Sequence, residues 1–197
     1  MSIVIGYKKG DTVYMGTDTR VIVNDHKKNE VSESSYKIRK MENGMLVAIT
    51  ADRFLRQTLF AYSEIFTLDK NGDLTRKHIS TEIIPKLIAV LEDEDLMIKK
   101  EERLPYFDGE IIMACKDVMY QICKNFTVYR YEDYQMLGDA SDCGQYVLAN
   151  AKEDADPNEV IVQALDIISK YSQLVGAPYL LIDTKEQEYK LIRSEDK

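Results

Sequence analysis

Residues Ser2 to Asp18 read SIVIGYKKGDTVYMGTD. Ser2–Tyr7 is an apolar run, Lys8-Lys9-Gly10-Asp11 is a turn signal, and Thr12–Thr17 is rich in β-forming residues. Together they predict a hairpin. A turn centred on Lys9-Gly10 sets Ser2 opposite about Thr17, so Ser2 and Asp18 share one end of a sheet. A second hairpin follows in the same style. Tyr36–Met41 alternates, Glu42-Asn43-Gly44 turns the chain, and Met45–Thr50 is apolar. Centred on Asn43-Gly44, that turn sets Lys37 opposite about Thr50, at the end where Ala51 opens a helix.

Outward from these hairpins the chain alternates between helix and strand patterns. Ala51–Phe66 places Phe54, Leu55, Thr58, Leu59, Tyr62, Ile65 and Phe66 on one helical stripe. Ser80 or Thr81 is a cap for a second helix through Leu91, with Pro85 implying a late start or a kink. Asp93–Arg103 is a charged connection and Val21–Glu33 a polar loop. Glu110–Cys115 and Met119–Cys123 form a third hairpin about Lys116-Asp117, and Thr127–Tyr131 adds a strand. Ser141–Ala151 reads as a helix, and Asp156-Pro157-Asn158-Glu159 starts another that runs to about Ser172. Tyr179–Asp183 and Glu188–Ile192 close the chain as a hairpin. Two helical pairs interleaved with antiparallel hairpins predict an α+β sandwich of four layers: helices, two antiparallel sheets, helices. No linker or repeat divides it, so residues 1–197 are read as one domain.

If the first two hairpins are neighbours, four groups converge. They are the Ser2 hydroxyl, the Asp18 carboxylate, the Lys37 ammonium and the amides at the Ala51 helix start. Such a set has a chemistry. A Ser hydroxyl is a weak nucleophile until a base takes its proton. Removing Met1 gives Ser2 a free α-amine, whose ordinary pKa of ~7.7–8.0 suits a base. Lys37 favours the neutral amine and alkoxide character, Asp18 orients Lys37, and the Ala51 amide receives the oxyanion. The plainer reading of each residue stands beside this one: Ser2 is a common second residue, Asp18 caps a turn, and Lys37 lies on a strand surface.

Ser2-Ile3-Val4-Ile5-Gly6-Tyr7, Thr17-Asp18-Thr19-Arg20 and Tyr36-Lys37-Ile38 resemble the proteasome β-type subunits. They equally resemble the peptidase subunit of the simpler bacterial ATP-dependent protease. Both are N-terminal nucleophile hydrolases. Ser2 takes the place of the family's terminal Thr, Asp18 and Arg20 match its Asp-Ser/Gly-Arg element, and Lys37 matches its Lys. Gly138-Asp139-Ala140-Ser141 is similar to the family's Gly-Ser-Gly, with Asp139 standing for the Ser. The family's later Asp…Ser-Gly element has no clear counterpart in Ser169-Lys170-Tyr171-Ser172-Gln173, and Ala51 stands where the family has a Gly. The resemblance implies a peptide substrate, a ring-shaped homo-oligomer, an ATPase unfoldase partner and no cofactor. Two other classes stay open. One is a non-catalytic scaffold that keeps the fold; the other is a monomeric amidase acting on small molecules.

Composition narrows the field further. The 197 residues carry 34 Asp+Glu against 26 Lys+Arg, a net charge of −8, which disfavours nucleic acid and anionic membrane surfaces as partners. Met1–Gly6 lacks the features of a leader peptide, and no apolar run approaches the ~20 residues of a membrane span. Three scattered cysteines (Cys115, Cys123, Cys143) fit reduced thiols in the cytoplasm, and with only His26 and His78 a zinc site is not expected. Neither His sits in a Ser/Asp pattern, so no His-based triad is expected. Asp69–Asp73 reads as a turn rather than a calcium loop, because no Glu closes it.

Overall fold

Apolar runs with no polar alternation need cover on both faces, and the first hairpin receives it. In the computed structural model, which describes residues 3–23, 26–29, 36–99 and 104–193, strand β1 (Ile3–Lys9) turns through Gly10-Asp11 into β2 (Thr12–Asp18). Ile3 and Ile5 point into one core and Val4, from the opposite face, into another. The first core holds Val160, Ile161, Ala164, Leu165 and Ile168 of a helix; the second holds Ile38, Leu46, Ala48 and Ile112 of a second sheet.

The first sheet has the order β10-β1-β2-β11-β12, with β10 at Tyr134–Gly138, β11 at Tyr179–Asp183 and β12 at Lys190–Ile192. The second has the order β5-β6-β7-β8-β9, spanning Ile38–Lys40, Leu46–Ala51, Gly109–Cys115, Val118–Ile122 and Val128–Tyr131. Every pairing is antiparallel. Helices α4 (Ser141–Ala149) and α5 (Pro157–Tyr171) cover the first sheet. Helices α1 (Arg53–Ala61) and α3 (Ile84–Asp93) cover the second, where Leu55, Leu59, Leu87 and Leu91 meet Val47, Ile49, Ile111 and Met113. The expected four layers are therefore present. Gly16 shows how closely α5 lies on β2: a Cβ there would stand 2.3 Å from a methyl of Ile161.

Several local expectations need correction. Arg20–Val23 and His26–Asn29 pair as a two-stranded ribbon, β3 and β4, where a polar loop was expected. The second helical segment starts earlier than Ser80 or Thr81. Thr75 caps a short α2 (Arg76–His78) by accepting the His78 N–H, and a π-type turn at Ile79–Ile83 leads into α3. Pro85 thus falls in the first turn of α3, where its missing N–H costs nothing. Helix α1 starts at Arg53, and Phe54 leaves the apolar stripe to stand 61% exposed. His78 is half-buried beside the Thr67 hydroxyl, 3.0 Å from its Nε2.

A polar cluster also joins the sheets. Gln121 of β8, buried between them, donates to Glu110 (2.9 Å) and accepts from the Tyr131 hydroxyl (2.9 Å) and from Gln135 of β10 (2.6 Å). No described helix is long and apolar enough to cross a membrane.

Candidate active site

Register decides which groups meet at the open end of the sandwich. In the first hairpin Val4 pairs with Thr17 and Lys9 with Thr12, so the turn is Gly10-Asp11 and not Lys9-Gly10. The shift is two residues, and it aligns Asp18 with Ile3. In the second hairpin the Ile49 amide donates to the Lys37 carbonyl at 3.0 Å, one residue from the expected Thr50. Both Asp18 and Lys37 still reach the same end. The Ser2 side chain and amine lie outside the described residues, so the structure locates this corner by Ile3, to which Ser2 is bonded.

Asp18 and Lys37 form an ion pair of 2.6 Å across the two sheets, with side chains 0% and 3% exposed. Asp18 is anchored by more than Lys37. Its Oδ1 accepts the Ile3 N–H at 3.4 Å and its Oδ2 the Arg20 N–H at 3.1 Å. Lys37 also donates to the Arg20 carbonyl at 3.2 Å. Burial pushes the Lys37 pKa below its ordinary value; Asp18 opposes that, while Arg56 and Arg20 add to it. The Arg20 guanidinium donates to the carbonyls of Gln173 (3.1 Å) and Val175 (2.9 Å), tying the segment after α5 to this corner.

Ala51 is the last residue of β6, paired with Gly109, and does not lie in the first helical turn. Asp52 caps α1 by accepting the Leu55 N–H at 2.9 Å. Ala51 and Asp52 line a cleft of about 380 Å³ together with Thr50, Asp108, Gly109, Glu110, Lys124 and Gly138. Gly138 is the β10 partner of Ile3, so this cleft abuts the Ser2 end of β1.

No family model and no curated protein matches the chain by sequence. Solved structures do match in shape. BPH of Thiobacillus denitrificans superposes with a TM-score of 0.73 at 16% identity, over 92% of this chain and 96% of that one. Anbu of Pseudomonas aeruginosa, solved as a helical assembly, gives 0.71 at 12% identity over 98% and 88%. HslV of Trypanosoma brucei gives 0.61 at 12% identity over 92% and 98%. This chain has the proteasome-type fold. Its two antiparallel sheets between helical layers are those of BPH, Anbu and HslV, the arrangement that the hairpin pattern led us to expect.

Within the proteasome-type fold two features escaped the sequence. Arg56, one turn into α1, is buried and donates to the Ala51 carbonyl at 3.4 Å. A charged residue at i+3 from Arg53 looks like part of a solvated face, and only the stripe formed by Leu55, Leu59 and Phe60 hints that it turns inward. The other is a hydrogen bond from the Ser172 hydroxyl to Asp139 Oδ2. The Gly138–Ser141 element and the Ser169–Gln173 segment, which lacked a clear counterpart, thus meet in space. Among the described residues no cluster of His, Cys, Asp or Glu is grouped as metal ligands would be.

Proposed function

We propose that the chain is a peptidase using Ser2 as its N-terminal nucleophile once Met1 is removed. The observation that supports this most is the buried Asp18–Lys37 pair at the residue bonded to Ser2. Burying two charges is expensive, and apolar residues of similar volume would serve stability as well or better. An ion pair kept at this spot is best explained by chemistry.

In this reading the Ser2 α-amine, directly or through a water, takes the proton of the Ser2 hydroxyl. The oxygen attacks the substrate carbonyl and forms an ester, while the departing amine receives that proton. Water then attacks the ester and regenerates Ser2. Lys37 supplies positive charge beside the forming alkoxide, Asp18 holds Lys37 in place, and the Ala51 amide at the cleft faces the oxyanion. The chain works as one domain within an assembly of its own copies, in the cytoplasm, on peptides delivered by an ATP-driven unfoldase.

The test begins with the intact mass of protein expressed without an N-terminal tag, followed by an amide-substrate assay and native mass. Loss of one Met, with hydrolysis that falls at least ~10³-fold in Ser2→Ala, supports the proposal. A retained Met1, or hydrolysis indifferent to Ser2→Ala, overturns it in favour of a non-catalytic scaffold of the same fold.

A further inference from the structure

The chain contains two Asn-Gly pairs, Asn43-Gly44 and Asn71-Gly72, each in a tight turn. Such a pair can react with itself. The Gly nitrogen gives up its proton and attacks the Asn side-chain carbonyl carbon, Cγ. The bond from Cγ to Nδ2 breaks, and ammonia leaves with the proton. A five-membered cyclic imide remains. Water opens it at Cγ to give an aspartyl residue, or at the backbone carbonyl to give an isoaspartyl residue whose main chain runs through the side chain. Glycine favours the attack because no Cβ crowds its nitrogen.

The two turns match in their backbone. Gly44 has φ 81° and its N–H donates to the Met41 carbonyl at 2.9 Å; Gly72 has φ 74° and its N–H donates to the Asp69 carbonyl at 2.9 Å. They differ at the asparagine side chain. Asn43 Nδ2 donates to the Phe66 carbonyl at 2.8 Å, and Asn43 Oδ1 accepts the Met45 N–H at 3.0 Å. Both ends of that carboxamide are held, so bringing Cγ onto the Gly44 nitrogen breaks two hydrogen bonds. Gln187 covers the same turn, its Nε2 donating to the Gly44 carbonyl at 2.9 Å. Asn71 is exposed, and among the described residues only its backbone N–H is engaged, donating to Asp69 Oδ1 at 2.9 Å. Its carboxamide rotates without such a loss. A Cβ at Gly72 would meet nothing within 4 Å, so the turn is open to the water that completes the reaction.

We propose that Asn71-Gly72 is a site of spontaneous covalent modification, passing through the imide to aspartyl and isoaspartyl forms, and that its hydrogen bonds shield Asn43-Gly44 from the same reaction. The proposal does not depend on the reading of Ser2. Its consequence is local. Asp69 Oδ1 accepts the N–H groups of both Asn71 and Asp73, and the Asp69 N–H donates to the Asp73 carbonyl at 3.0 Å. An isoaspartyl link adds a carbon to the main chain inside this turn and breaks that register. It loosens Asp73, whose ion pair with Lys116 at 2.6 Å ties the turn to the β7–β8 hairpin, and the adjoining buried Leu74. The aspartyl form leaves the main chain unchanged.

The test incubates the full chain at mildly alkaline pH, in buffer and in denaturant. Peptides covering both pairs are followed by chromatography and mass spectrometry. Each conversion raises the mass by the difference between water and ammonia, and the isoaspartyl and aspartyl peptides separate on the column. In the folded chain Asn71 converts at least ~10-fold faster than Asn43, the scale of two broken hydrogen bonds. In denaturant the two rates converge. Asn71→Gln, whose longer side chain closes the ring poorly, loses the fast phase and keeps the slow one. Equal rates in the folded chain overturn the proposal. So does an Asn71 rate that rises on unfolding as much as that of Asn43, because the turn then protects both. The isolated isoaspartyl fraction melts below the aspartyl fraction; equal melting would overturn the stated damage to the turn.

Discussion

Asp18 and Asp139 stand on opposite sides of the start of β1, and their surroundings differ in kind. Asp18 is fully buried and meets an ammonium at 2.6 Å plus two backbone N–H groups. Asp139 is half-buried and meets a neutral hydroxyl. The first carboxylate has its charge matched and is part of the scaffold joining the two sheets. The second is held by a hydroxyl and has no ion pair among the described residues. Substitution at the first should therefore cost far more stability than substitution at the second.

The largest expected effect breaks the matched pair. Lys37→Met leaves Asp18 buried without its cation and costs about 3–5 kcal/mol, read as a drop in the denaturant midpoint. Adding Asp18→Asn to Lys37→Met removes the unpaired charge, keeps an acceptor for the Ile3 and Arg20 N–H groups, and restores part of that loss. A double variant as unstable as the single one would show that the pair is not the source of the cost.

Next comes the pH dependence of the same pair. The folded pKa of Lys37 lies below its ordinary 10.5. Between the two values the unfolded chain binds the extra proton, so the stability that Lys37 contributes rises with pH across that window. It levels off above 10.5. Wild type minus Lys37→Met, followed by denaturant titration from neutral pH upward, should show a positive slope. A flat or falling difference would mean that Asp18 overcomes burial.

Two smaller changes sharpen the contrast. Asp52→Ala removes the cap of α1 and costs about 1 kcal/mol, measurable by thermal melting. Ser172→Ala removes two hydrogen bonds, one to Asp139 and one from the Leu174 N–H, and costs about 0.5–1.5 kcal/mol for each. A loss from Ser172→Ala as large as that from Lys37→Met would erase the distinction between the two sides of β1.

How much of this was legible depended on how local the signal was. The hairpins were readable because Gly10-Asp11, Asn43-Gly44 and Lys116-Asp117 sit between apolar runs. That was enough to bring Asp18 and Lys37 to one end, although the first register slipped by two because Lys8 and Lys9 look like turn residues and are strand residues. The start of the second helical segment was missed because Pro85 suggested an interruption; the π-type turn at Ile79–Ile83 carries the chain through without one. Strands β4 (HKKN) and β10 (YQMLG) lack the apolar runs that marked the other strands, and the short run Val21–Val23 of β3 lies in an otherwise polar stretch. The Asp139–Ser172 bond joins residues 33 apart on different elements, and only packing of α5 on the first sheet creates it. The Ser2 position itself lies outside the described residues, so its role rests on the experiments above.

The Gln121 cluster has a consequence for assembly of the fold. Met119 faces the space between the sheets, whereas Tyr120 and Ile122 face the helices. A slip of β8 by one position would replace Gln121 by one of these and leave the Tyr131 hydroxyl without its acceptor and Glu110 without its donor. Apolar contacts between two sheets tolerate sliding; this lock does not. It favours one alignment of the two sheets, the alignment that brings Lys37 to Asp18.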